Sequence, residues 1–165
     1  MIATETKTET AMQANRMASP GTIFNIRLSA SQTNGAISVI NYECLPGSEP
    51  FLHVHTLEDE TFIVEEGSVT FCIGDKTGKA FPGDVFFLPR NIPHSFKVTS
   101  EKLKGTVILT PGNLENFFRQ ASTPYKGVEI PPVTTPTEEQ IQGFLNLAIS
   151  YGMQLVAVAT AGQTV

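Results

Sequence analysis

All three histidines of this 165-residue chain belong to one pattern whose spacing suits metal binding. His53 and His55 form an H-x-H pair, so on a strand both side chains point to the same face. Glu60 follows a short connection that can turn the chain into a neighbouring antiparallel strand. His94 comes directly after a proline-bounded turn at residues 89–93, which limits where its strand begins. Three imidazoles and one carboxylate could then converge as the mixed nitrogen and oxygen ligands of a divalent first-row metal.

Each of these features has an ordinary structural explanation when it is taken alone. A single histidine is usually a surface residue or a hydrogen-bonded core residue, and an H-x-H pair can face solvent. The acidic run Glu58-Asp59-Glu60 by itself is typical of a solvated turn. The combination favours a metal site, because every histidine belongs to the pattern and glycines and prolines flank it.

The elements that must position these residues are mostly short strands. From Gly21 onward, runs rich in Val, Ile, Phe and Thr alternate with turn signals, which is typical of an all-β sandwich or barrel. We predict strands near residues 23–28, 36–44, 51–55, 60–65, 68–73, 84–88, 94–98 and 105–109.

Two helices are predicted after the strands. Asn113 can cap a short one, and a capping box from Thr137 to Gln140 begins a longer one that Gly152 ends. The longer helix carries an apolar stripe that we expect to pack in the core, formed by Ile141, Phe144, Leu145, Ala148 and Ile149.

Composition and charge exclude several classes of protein. Hydrophobic residues make up 41% and charged residues 16%, which is enough apolar material for a core and argues against disorder. A net charge of −5 without a basic cluster argues against binding nucleic acid or an anionic membrane surface. No apolar run reaches the roughly 18 residues of a membrane-spanning helix. The first residues lack the basic start and apolar stretch of a secretory signal, so we expect a cytoplasmic protein.

The histidine pattern resembles the two sequence motifs of the cupin family. The first motif, G-x5-H-x-H-x3–4-E-x6-G, matches the stretch from Gly47 to Gly67 without a gap. The second, G-x5-P-x-G-x2-H-x3-N, matches at its Gly, Pro and His positions, while Asn91 stands in place of Gly and Val98 in place of Asn. Neither departure falls on a ligand position, and Asn tolerates the left-handed conformation nearly as well as Gly. The resemblance implies the ligands His53, His55, Glu60 and His94.

The same resemblance implies a fold and a quaternary structure. The expected fold is all-β, an antiparallel jelly-roll barrel with short C-terminal helices. We divide the chain into a flexible tail at 1–19, the barrel at 20–112, and a helical extension with a proline-rich strap at 113–165. Cupins generally cover their open sheets by pairing, so we expect a homodimer with Thr61, Ile63 and the N-terminal strand at the contact.

The C-terminal segments are similar to those of bacterial single-domain cupins that resemble quercetin 2,3-dioxygenases. In that group the substrate binds the metal as an enolate, the glutamate takes its proton, and dioxygen cleaves the ring. The resemblance implies a metal-dependent dioxygenase for a flavonol-like or other enolisable aromatic compound, with Glu60 as the catalytic base. The cofactor would be one divalent ion of Fe, Mn, Ni, Co, Cu or Zn. The alternative is a non-catalytic metal-containing cupin that binds or senses a small molecule.

Strand alternation also predicts what surrounds the metal. Phe51, Phe62, Phe96 and Val98 share faces with the four ligands, which predicts an apolar pocket for a flat, partly hydrophobic anion. These phenylalanines could instead be simple barrel core. No histidine remains for acid–base chemistry, which leaves Glu60 and Tyr42 as the candidates.

Overall fold

The computed structural model describes residues 15–156, which form two antiparallel sheets and two α-helices. The strands are β1 (Arg16–Ser19), β2 (Thr22–Leu28), β3 (Ser38–Cys44), β4 (His53–His55), β5 (Asp59–Glu66), β6 (Val69–Ile73), β7 (Lys76–Ala80), β8 (Val85–Leu88), β9 (His94–Val98), β10 (Leu103–Thr110), β11 (Thr123–Pro124) and β12 (Met153–Leu155). The helices are α1 (Glu115–Ala121) and α2 (Glu138–Ser150).

The strands pair in an order that mixes distant parts of the chain. One sheet runs β11-β1-β2-β3-β10-β5-β8 and the other runs β12-β4-β9-β6-β7. Successive residues of a strand point to opposite faces, and in β3 one face packs in the core, since every second residue from Ser38 to Cys44 is buried. The predicted all-β, antiparallel jelly-roll architecture with short C-terminal helices is confirmed.

Four strands were not predicted from the sequence. The strand β7 lacks an apolar alternation, because four of its five residues are polar or glycine and exposed. The strand β1 lies inside the segment 1–19 that was expected to be a flexible tail, yet its Met17 and Ala18 are buried. The predicted tail is therefore wrong at its C-terminal end, and residues 1–14 lie outside the described part of the chain. The remaining two, β11 and β12, have only two and three residues.

The predicted N-terminal cap is found in α2 but not in α1. The capping box of α2 is confirmed, since the Gln140 N–H donates to the Thr137 hydroxyl at 3.2 Å and the Thr137 N–H donates to the Gln140 side chain at 2.9 Å. Asn113 does not cap α1. It lies in a 3₁₀ turn, Gly112–Leu114, that runs directly into the helix.

The prediction that the apolar stripe of α2 packs in the core is wrong. Of its five members only Ala148 is buried, while Ile141, Phe144 and Ile149 are 42%, 44% and 66% exposed. The helix contacts α1 and β12, and its Phe144 ring meets Phe117 edge-on. Contacts with α1 and β12 cover only one side of α2 and leave most of the stripe exposed.

None of the helices within residues 15–156 combines the length and the apolar character that crossing a membrane requires.

Candidate metal centre

The three histidines lie on two adjacent strands of the five-stranded sheet. His53 and His55 are the first and last residues of β4, and His94 begins β9, where it pairs directly with His53. All three side chains point inward and are buried, with exposures of 7%, 2% and 2%. Alternation on β4 and the pairing with β9 therefore bring the imidazoles together, as the H-x-H spacing predicts.

Glu60 reaches the same point from the facing sheet. It lies on β5, which pairs with β10 and β8 rather than with β4. The expectation that Glu60 begins a strand next to the H-x-H strand is therefore wrong. The Glu60 carboxylate nevertheless lies beside the imidazoles, as expected. The connection of residues 56–58 crosses from one sheet to the other, so the site lies between the sheets.

The distances describe a compact cluster of donor atoms. The Nε2 atoms of His53 and His55 are 3.0 Å apart. Glu60 places Oε1 at 3.5 Å from His55 Nε2 and Oε2 at 3.8 Å from His94 Nε2. One ring nitrogen from each histidine lies within 4.8 Å of the others, which is the spacing of ligands around a single ion.

Backbone carbonyls orient two of the three imidazoles. The Nδ1–H of His53 donates to the Phe51 carbonyl at 2.7 Å, and that of His94 donates to the Ile92 carbonyl at 3.0 Å. Such bonds leave the lone pair on Nε2, which is the arrangement commonly found for metal-ligating histidines. His94 Nε2 is buried and has no hydrogen-bond partner within residues 15–156. The donor set and this unpartnered nitrogen fit a divalent metal ion.

The loop before His94 is tied to both ligand-bearing strands. Asn91 has a φ of +63°, so an Asn adopts the left-handed conformation at the position where the family motif has Gly. Its backbone N–H donates to the His55 carbonyl at 2.8 Å. Next to it, Arg90 holds both carboxylate oxygens of Asp59, at 3.1 and 2.7 Å, one residue before Glu60. The loop therefore couples the positions of His55, Glu60 and His94.

Burial sets the protonation of the site in the absence of a metal. Burial and the neighbouring His94 lower the pKa of His55 to about 3. Burial is also the largest cause that lowers the pKa values of His53 and His94. Burial raises the pKa of Glu60, against the opposing effect of His94 and His53. Neutral imidazoles are the form that binds metal, so the site is prepared for an ion at neutral pH.

Glu58 is a buried residue of the site region that the sequence analysis did not single out. The acidic run that contains it is by itself typical of a solvated turn, but only 2% of Glu58 is exposed and its Oε2 has no hydrogen-bond partner within the described residues. Burial first, and then the charge of Glu60, raise the pKa of Glu58 to about 7. Nothing in the local sequence distinguishes it from Asp59, whose side chain instead pairs with Arg90.

The four predicted pocket residues differ in their surroundings. Phe62, Phe96 and Val98 follow the ligands on the inward faces of β5 and β9, and the Phe62 and Phe96 rings pack 5.8 Å apart in the core. Phe51 does not join them, because its ring is 71% exposed and only its carbonyl turns toward the site.

Tyr42, the second candidate for acid–base chemistry, is also buried among these rings. Burial and then Cys44 raise its pKa well above the usual value, so Tyr42 keeps its proton.

Comparison with known proteins agrees with this geometry. The cupin domain family matches residues 42–111, a range that contains all four candidate ligands. This chain is therefore similar to the cupin family over residues 42–111. A quercetin 2,3-dioxygenase from Bacillus subtilis is 29% identical over 115 residues, which are 70% of this chain and 34% of that protein. The chain thus spans about a third of the length of this curated relative.

Solved structures similar to this chain show the fold. KdgF from Halomonas sp. matches with a TM-score of 0.51 and 17% identity, over 56% of this chain and 82% of that one. Oxalate decarboxylase from Bacillus subtilis, a protein with Mn(II) centres, matches with a TM-score of 0.54 and 19% identity, over 66% of this chain and 29% of that one.

Proposed function

We propose that this cupin is a metal-dependent dioxygenase for a flavonol-like or other enolisable aromatic compound. The observation that carries the proposal is the convergence of three neutral imidazoles and one carboxylate between the two sheets, beside the Phe62 and Phe96 rings. The similarity to a quercetin 2,3-dioxygenase supports the choice of substrate class.

His53, His55, His94 and Glu60 would hold the ion through their Nε2 and carboxylate oxygen atoms. When bound, the metal would supply a Lewis-acid centre and, if the ion is redox-active, electron transfer with dioxygen. Neutral imidazoles and one carboxylate leave a divalent centre with a net charge of about +1, which favours an anionic oxygen ligand. The metal would be one of Fe, Mn, Ni, Co, Cu or Zn.

Glu60 has the properties required of the base. Its two carboxylate oxygens lie at the site, Oε1 at 3.5 Å from His55 Nε2 and Oε2 at 3.8 Å from His94 Nε2, so one oxygen can hold the ion while the other accepts a proton. We propose that a Glu60 oxygen accepts the hydroxyl proton of the substrate and holds it beside the reacting ring. Tyr42 does not compete for this role, because burial keeps its hydroxyl protonated.

Oxygen uptake by the metal-loaded protein tests the proposal. We expect consumption of dioxygen with quercetin, in proportion to bound metal, and its loss in Glu60→Gln. Glu66→Gln is the matched control, because Glu66 lies on the same strand but its carboxylate pairs with Lys102 at the surface. Quercetin binding without oxygen uptake would favour the non-catalytic binding or sensing protein. If quercetin neither binds nor reacts, the proposed substrate class is wrong.

We further propose a homodimer formed through the outer face of the seven-stranded sheet. Thr61 and Ile63 point outward from β5, and their partners on the edge strand β8, Phe87 and Val85, are each 59% exposed. Ile63, Val85 and Phe87 give this face apolar side chains, and β8 has no second neighbour within residues 15–156, so a second copy could cover both the face and the edge. The cytoplasmic location stays a prediction.

A further inference from the structure

The C-terminal strand β12 lies directly beside the strand that carries two of the candidate ligands. In the antiparallel register Met153 is opposite His55 and Leu155 is opposite His53. Residues that lie opposite each other on paired strands present their side chains to the same face of the sheet. Met153 and Leu155 therefore share the inward face with the two imidazoles.

The hydrogen bonds of this pair show how closely those side chains approach. The Thr56 N–H donates to the Gly152 carbonyl, and the Val156 N–H donates to the Leu52 carbonyl, each at 3.0 Å. Hydrogen-bonded pairs alternate with non-hydrogen-bonded pairs in an antiparallel ladder, so residues 153 and 155 occupy the non-hydrogen-bonded positions. At these positions opposite Cα atoms are about 4.5 Å apart and the side chains are at their closest.

Exposure changes along β12 from the interior to the rim of the site. Met153 is 8% exposed and belongs to the core cluster, whereas Leu155 is 46% exposed. Gln154 between them points outward and is exposed. Within residues 15–156 β12 is the edge strand of its sheet, so this side of the histidine pair is bordered by one buried thioether and one half-exposed leucine.

We propose that Met153 and Leu155 form the apolar wall against which the body of a metal-bound ligand packs, and that they select anions with an apolar body. The proposal rests on the proposed metal site, and it adds residues that lie outside the matched range 42–111. Small anions would reach the metal without touching this wall, while a ligand with an aromatic ring would contact it.

The wall can be tested by a binding measurement that does not depend on catalytic activity, with two hydroxamates that share the same metal-binding group. Acetohydroxamate and benzohydroxamate differ only in a methyl group against a phenyl ring, and their binding to cobalt(II)-loaded protein can be followed by the visible absorption of the metal. The proteins compared are the wild type, Met153→Ala, Leu155→Ser and the control Gln154→Ala, whose changed side chain lies on the outward face of the same strand.

We expect the wild type to bind benzohydroxamate more tightly than acetohydroxamate. In Met153→Ala and Leu155→Ser this preference should fall roughly tenfold, which corresponds to about 1.4 kcal/mol of lost apolar contact. Cobalt content, the spectrum without hydroxamate and the affinity for acetohydroxamate should not change in these variants. Gln154→Ala should keep the full preference, because its side chain does not face the metal.

Several outcomes would overturn the wall. The proposal is wrong if Met153→Ala and Leu155→Ser both keep the wild-type preference for benzohydroxamate, or if Gln154→Ala loses as much of that preference as they do. It is also wrong if the wild type does not prefer benzohydroxamate to acetohydroxamate. If Met153→Ala does not fold, the half-exposed Leu155→Ser decides alone. A protein that binds no cobalt would overturn the wall and the proposed function together. If the two inward variants lose the preference for benzohydroxamate but the metal-loaded wild type takes up no oxygen with quercetin, the wall is supported and the proposed reaction is refuted.

Discussion

The metal-free protein should lose stability in mild acid because its buried imidazoles resist protonation. Burial and the neighbouring His94 lower the pKa of His55 to about 3, against an ordinary value of 6.5. In the unfolded chain the same imidazole takes up a proton as the pH falls below that ordinary value. The contribution of His55 to stability is therefore complete above about pH 6.5 and is lost progressively as the pH falls toward the folded-state pKa.

The size of the effect follows from the two pKa values. At about pH 5 the unfolded His55 is protonated and the folded His55 is still neutral. The difference of roughly 1.5 pH units from the unfolded pKa corresponds to about 2 kcal/mol of lost free energy of unfolding. The pKa values of His53 and His94 are lowered in the same direction, so their protonation adds to the loss.

Urea unfolding of chelator-treated protein at about pH 7.5 and about pH 5 measures this loss. The matched variant is His55→Gln, which keeps a polar side chain of similar size that cannot titrate. The carboxyls of Glu58 and Glu60, whose pKa values are raised, change stability in the opposite sense in both proteins. Comparing the two proteins therefore cancels the carboxyl contributions and leaves that of His55 together with its effect on His53, and the wild type should lose about 2 kcal/mol more than the variant. Equal losses in both proteins would show that burial does not hold this imidazole neutral.

Three further predictions concern the metal, the buried acid and the assembly. Elemental analysis should find about one metal ion per chain, as expected for a single four-ligand centre, and little after His53→Ala or His94→Ala; full retention in a His53→Ala, His55→Ala double variant would contradict the site. Burial raises the pKa of Glu58 from 4.5 to about 7, so Glu58→Gln should raise the free energy of unfolding by about 3 kcal/mol at about pH 8, where the wild-type carboxylate is ionised, and should have little effect near pH 4.5, where it is protonated in the folded protein; no gain at the higher pH would show that burial does not penalise this charge. Light scattering should give the mass of a dimer, and of a monomer for Phe87→Ser; a monomeric wild type at micromolar concentration would refute the proposed interface.

Features that depend on local chemistry were predictable from the sequence. The strand of His94 begins and ends where it was expected, at residues 94–98, because the proline-bounded turn before it restricts the backbone. The capping box of α2 forms as predicted, since both of its hydrogen bonds lie within four consecutive residues. The common direction of His53 and His55 follows from strand alternation alone. The candidate ligand set was therefore available before any tertiary structure.

Features that depend on which distant segments become neighbours were decided only by the tertiary structure. Glu60 approaches from the facing sheet, and Glu58 is buried although its neighbour Asp59 stays partly exposed, because the path between the two sheets turns one side chain in and the next one out. Thr56 and Gly152 are hydrogen-bonded although they are 96 residues apart, and this contact places β12 beside the histidines. A three-residue strand has too short a pattern to be recognised in a sequence, and its position depends on pairing along the whole sheet. The apolar stripe of α2 shows the same limit, since periodicity predicts an amphipathic helix but not how much of its apolar face the rest of the protein covers.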